Sequence, residues 1–253
     1  MKKFLSMAVA AIAASVFFGC STVEDVLRPA ELSLAELEQR MHNATDPHGN
    51  FAKSRTYSML QTITTPQFLD DPVEELVEVK FEHPNKFSLI SYKDNKPEEM
   101  WCSNGQRGWV IDYGKRDIRV LDGPELRRML HMAQIGDPRE SFGKIFAKVE
   151  LRRCTNEDGE FYRLDCYDEG QSSPIYIYVD AASFLMRRMK FDLPVGSGRL
   201  KYDARIRQYE LREGVMIPVL TDIVQNGEKQ VSRISSYRLN PEFQELDFLP
   251  PVF

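Results

Sequence analysis

Four cysteines, four histidines and several adjacent acidic pairs are the side chains of this 253-residue chain best suited to chemistry. Cys20 closes an apolar run from Phe4 to Phe18 and follows the small Gly19. Cys102, Cys154 and Cys166 lie far downstream, and no CxxC spacing of a metal or redox site occurs. His42, His48, His83 and His131 form no ligand-like cluster, and each reads as a surface or helix-face residue. No GxSxG, HExxH or GxxxxGK[ST] motif is present, and Gly196-Ser197-Gly198 reads as a loop. Neighbours such as Glu74-Glu75 and Glu98-Glu99 point to opposite faces of a strand, so they read as solvated charge, not an acid–base pair. The sequence therefore predicts no catalytic residue, metal ligand or cofactor, and the chain is expected not to be an enzyme.

The first twenty residues have the three-part layout of a secretory signal. Lys2 and Lys3 precede the apolar run, and Gly19-Cys20 ends it. As a helix the run would span ~22 Å, short of a ~30 Å hydrocarbon core. Phe17-Phe18-Gly19-Cys20 resembles the bacterial lipobox, with Phe17 where leucine is usual. The resemblance implies a signal over 1–19, cleavage before Cys20, diacylation of its thiol and a lipidated tether over 20–30. Ser21, in place of the aspartate that favours inner-membrane retention in related lipoproteins, implies an outer-membrane, periplasm-facing location. Without residues 1–19 the chain carries 31 basic and 38 acidic residues, a charge of −7. That balance excludes a nucleic-acid footprint, and the absence of a polybasic run leaves membrane attachment to the lipid.

Two periodicities build the rest. Ser33-Leu34-Ala35-Glu36 is a capping box, with Leu34, Leu37, Met41 and Ala44 forming one stripe of a helix. From Ser54 to Tyr113 the period falls to two: Val77, Val79 and Phe81 alternate with Glu78, Lys80 and Glu82. Asn104-Gly105 marks a hairpin, as Asn226-Gly227 does later. Two more helices are predicted, one from Pro124 with Leu126, Met129, Leu130 and Ala133. The other starts at Asp137-Pro138, with Phe142, Ile145, Phe146 and Val149. Strands resume after Lys148 and run to Leu239. A turn at Asp158-Gly159 would set Cys154 opposite Arg163 and Cys166 opposite Leu151, on different faces. A disulfide between them stays open. The pattern is α+β, one domain over 31–253, with an antiparallel sheet of about ten strands and helices against one face.

Pro84-Asn85-Lys86-Phe87, the Asn104-Gly105…Trp109 hairpin, Val179-Asp180…Met186, Tyr209 to Pro218 and Asn240-Pro241…Pro250 are similar to strands of the LolA/LolB-like family. The resemblance covers roughly Leu34 to Pro250. It implies a strongly curved antiparallel half-barrel sheet with helices covering the concave face. It also implies binding of a hydrophobic ligand, a lipoprotein acyl chain or lipid, without chemistry. The expected cavity lining is Val77, Val79, Phe81, Phe87, Leu89, Trp109, Ile111, Ile175 and Ile177 from strands, and Leu126, Met129, Leu130, Phe142, Ile145 and Phe146 from helices. A structural envelope lipoprotein with a filled core is the alternative, and a periplasmic hydrolase the third reading.

Overall fold

Short turns whose residues accept positive φ join most of the strands. Asp94-Asn95, Glu213-Gly214 and Asn226-Gly227 all have φ between 49° and 91°, as tight hairpins between right-twisted strands require. The computed structural model describes residues 25–67, 70–135, 139–195 and 198–253.

Among these described residues, fourteen strands form one open antiparallel sheet. β1 is Val26–Pro29. One meander comprises β2 (Thr56–Thr65), β3 (Val73–Glu82), β4 (Lys86–Lys93), β5 (Lys96–Asn104), β6 (Gly108–Asp112) and β7 (Asp117–Leu121). The other comprises β8 (Lys148–Asn156), β9 (Gly159–Tyr167), β10 (Ile175–Asp180), β11 (Met186–Val195), β12 (Gly198–Arg212), β13 (Val215–Gln225) and β14 (Glu228–Leu239). β14 pairs with β2 to fuse the meanders, while β1 lies beside β8, leaving β1 and β7 as edges.

The helices are α1 (Leu34–Thr45), α2 (Asn50–Lys53), α3 (Gly123–Gln134) and α4 (Phe142–Ile145), with a final 3-10 turn at Glu245–Phe248. The capping box forms as expected: Ser33 N–H donates to Glu36 Oε2 at 2.8 Å, and Glu36 N–H donates to Ser33 Oγ at 3.3 Å. Asp46, buried, accepts from the backbone of Asn50 and Ala52 and so holds α2.

Several expectations need correction. The segment read as tether contains β1, whose four residues are too few for a period to show. The sheet has fourteen strands where about ten were expected, partly because β7 carries too little alternation to be recognised. The third predicted helix shrinks to one turn, and Val149 belongs to β8. Its expected start at Asp137-Pro138 lies outside the described residues. Ser141 caps α4 instead, with Glu38 accepting from Phe142 N–H at 2.7 Å. The hairpin turns at Glu157-Asp158, so Cys154 faces Phe161 and Cys166 faces Val149. The two thiols are on opposite faces and unbonded, as is Cys102.

Candidate ligand-binding face

Following the register across the sheet identifies one continuous face. Val149, Cys166, Ile175 and Met189 lie on it in one meander, as do Tyr57, Val79 and Leu89 in the other. Its β9–β12 half is filled. Ile175 and Ile177 pack with Leu164, Val179 and Phe191, and Leu37 of α1, Ile135, Phe142, Ile145 and Phe146 join the same buried cluster. Ile177 and Leu164 are 0 % exposed, so this half behaves as core.

The β2–β6 half differs. Val77, Val79, Phe81 and Phe87 are buried, but Leu89 is only half-buried. Phe81 stacks on Tyr57 with ring centroids 5.1 Å apart, and Tyr57 lies 5.8 Å from Phe51 of α2. The ladder extends the row from Leu89 to Trp101 and from Trp101 to Val110. Beside them Gly108 leaves space for α3. A Cβ there would stand 2.7 Å from both Leu126 Cδ1 and Met129 Cε. Leu126, Met129 and Leu130 are half-buried.

Trp109 and Ile111 do not belong to this row. Trp109 pairs with Cys102 and Ile111 with Met100, which places both on the opposite face, in a separate cluster with Met100 and Cys102. Trp101, Val110 and Gly108 take their places and were missed from sequence. The dipeptides Trp101-Cys102 and Trp109-Val110 are apolar on both faces, so alternation alone cannot assign a side.

Carboxylates at the rim of the same face are also not simply solvated. Glu75 lies beside Val77 on β3, and Glu99 pairs with Ser91 and Asp112. Burial pushes the Glu75 carboxyl above its ordinary range, and Glu98 adds to this. Burial likewise raises Glu99, with Asp112 and Glu75 contributing, while a 2.5 Å hydrogen bond donated by Trp101 Nε1 opposes the shift.

Helix α3 touches both meanders. Near its start Glu125 accepts two hydrogen bonds from Arg119 of β7, at 2.6 and 2.9 Å. Near its end His131 Nδ1 is 2.8 Å from Asp168, just after β9, and His131 meets the Phe146 ring edge-on. Ile135 then enters the filled cluster.

Three solved structures share this architecture. A LolA superfamily protein from Nitrosomonas europaea superposes with TM-score 0.58 at 14% identity, over 87% of this chain and 98% of that one. The fold is LolA-like. A DUF1329 family protein from Desulfovibrio piger gives 0.59 at 12% identity, over 85% and 95% of the two chains. A protein described as an outer membrane lipoprotein-sorting domain, from Vibrio parahaemolyticus, gives 0.53 at 10% identity, over 84% and 94%. No family model matches the chain, and no curated protein matches it. In this LolA-like chain no helix among the described residues is long and apolar enough to cross a membrane. Cys20 lies outside the described residues.

Proposed function

We propose that this chain is a lipid-anchored, periplasm-facing protein of the outer membrane that holds an acyl chain, of a lipid or a lipoprotein, against the β2–β6 half of the helix-bearing face. It works by binding, without covalent chemistry, in the handling of envelope lipoproteins or lipids. Cys20 carries the anchor.

The observation that supports the reading most directly is the reach of α3. Its twelve residues measure ~18 Å along the axis. Its contacts with Gly108 of β6 and with Asp168 beside β9 are ten strand spacings apart along the sheet, ~48 Å if it were flat. One short helix reaching both calls for a sheet curled around this face, with α3 across the opening. On this reading the half-buried Leu89, Leu126, Met129 and Leu130 mark where an acyl chain enters between α3 and the sheet, over the buried Val77, Val79 and Phe87. Burying an acyl chain recovers about 0.8 kcal/mol per methylene, roughly 12 kcal/mol for a sixteen-carbon chain relative to water. A bilayer offers about the same, so a trough of nearly equal quality exchanges lipid with the membrane reversibly.

The filled β9–β12 cluster favours the other reading, a structural lipoprotein, if its packing extends across the whole face. Saturable binding of a fluorescent fatty acid separates the two. Leu89→Glu places a charge on the trough wall and should weaken that binding at least tenfold with circular dichroism unchanged. Absence of saturable binding by the wild type would refute the binder reading.

A further inference from the structure

The free edge at β7 has an inverted alternation. Ile118 lies opposite Ile111 and Val120 opposite Trp109, so both point to the outer face, away from the helices. They are 38 % and 58 % exposed. Asp117, opposite Asp112, and Arg119, opposite Val110, point to the inner face. The C-terminal turn Glu245–Phe248 covers the outer face over β4 and β5. Beyond it the exposed Phe253 rests edge-on against Tyr113. An apolar strip thus borders an unpaired backbone edge.

The two edges of the sheet differ. β1 ends in Pro29, which has no N–H to offer a further strand. β7 has no proline, and its ladder with β6 runs from Asp117 to Leu121 without a bulge. Edges in natural proteins are commonly blunted by such devices, by shortness or by charge. The charges on β7 are of both signs and two residues apart, so they forbid some pairings and favour one.

We propose that a second copy of this chain pairs with β7, antiparallel, about a two-fold axis at Ile118. Opposed residues must share a face, so a two-fold pairing of identical strands has few registers. Centred on Asp117 or on Arg119, that residue meets its own copy, and like charges directly opposite are destabilising. Centred on Val120, Ile118 meets the partner's Asp122, and Arg119 meets the partner's Leu121. Centred on Ile118, each Asp117 meets the partner's Arg119 on the inner face. On the outer face Ile118 meets the partner's Ile118. Asp117 is exposed and has no ion pair among the described residues. Arg119 holds Glu125 at 2.6 and 2.9 Å, and a guanidinium has N–H donors beyond those two. The axis is perpendicular to the sheet, so the two sheets run on as one and both helix-bearing faces turn to the same side. This surface is separate from the trough, and the inference does not rest on what the trough binds.

The test uses the full-length chain in the membranes of cells that express it. In this register the two Ile118 Cα atoms stand ~5 Å apart, within disulfide reach, and the two Val120 Cα atoms ~14 Å apart, outside it. Cys102, Cys154 and Cys166 are buried and do not compete. On mild oxidation Ile118→Cys should give roughly tenfold more disulfide-linked dimer than Val120→Cys. Adding Asp117→Lys to Ile118→Cys sets like charges opposite at two symmetric positions and should cut that yield about fivefold, and Asp117→Asn should cut it less. Equal yields from Ile118→Cys and Val120→Cys overturn the proposal, as does an Ile118→Cys adduct with a different protein. Amide exchange of the purified wild type needs no variant to fold. It should slow by roughly tenfold across Asp117–Val120 as rising protein concentration takes the chain from monomer to dimer, and stay constant across β1. Exchange at β7 that is independent of concentration also overturns the pairing.

Discussion

Replacing Asp25 by alanine should loosen the N-terminal edge of the sheet, and the cost can be worked from its three partners. Arg163 keeps two bonds to Asp165, at 2.7 and 2.8 Å, and Asn156 still accepts from Asp158 N–H. Tyr178 loses most: its hydroxyl donates to Asp25 and the residue is 4 % exposed, so an unsatisfied buried group remains. That alone costs about 1–3 kcal/mol, and with the two weakened contacts the sum is about 2–4 kcal/mol. If β1 and the sheet unfold as one unit, the melting temperature should fall by about 5–12 °C for a domain of this size. If β1 unzips alone, exchange at Val26–Arg28 should accelerate while the melting temperature holds. Tyr178→Phe should reduce the further loss on Asp25→Ala by about 1 kcal/mol, the coupling expected of a direct contact. Burial by itself would raise the Asp25 carboxyl, but hydrogen bonds from Asn156, Tyr178 and Arg163 outweigh it and hold the group below its ordinary range. The latch is therefore fully present above the ordinary carboxylate range and is lost as pH falls through the folded-state value, so wild type and Asp25→Ala should converge in strong acid. Equal melting and equal exchange in the two proteins near neutral pH would refute the latch.

The two halves of the helix-bearing face should respond in opposite ways. Ile177→Ala, inside the filled cluster, should cost about 2–5 kcal/mol in denaturant unfolding and leave fatty-acid affinity unchanged, whereas Leu89→Ala should cost less and weaken the probe. Glu75→Gln should stabilise the fold near neutral pH. Because burial raises this carboxyl, the wild type should gain stability as pH falls through the folded-state value, and the variant should show less of that gain in urea titrations. Burial pushes the Cys102 and Cys154 thiols up to about 12, and raises Cys166 further. Native protein should therefore resist iodoacetamide at these cysteines at pH ~8 while the urea-unfolded chain reacts within minutes.

What the sequence revealed and what it hid divide along one physical line. Interactions that close within a few residues were legible: Ser33 with Glu36, the turn at Asn226-Gly227, the alternation that buries Val77, Val79 and Phe81 together. Each needs only local geometry, so spacing carries the information. Parity failed where both neighbours were apolar, at Trp101-Cys102 and Trp109-Val110, because a sheet covered on both faces removes the polar residue that marks a side. The C-terminal segment provides part of that second cover: Phe248 is fully buried, Lys80 pairs with Asp247 and Lys86 with Glu245. Glu75 and Glu99 looked solvated because a carboxylate's environment is set by the strands beside it. Asp25 is the extreme case. It sits in a short mixed-polarity stretch that reads as linker, and its partners Asn156, Arg163 and Tyr178 lie 131, 138 and 153 residues away. A side chain whose role is made wholly by distant strands leaves no local signal. The Asp25 latch is of that kind, while the residues proposed to hold a ligand follow a two-residue period that a reader of the sequence could see.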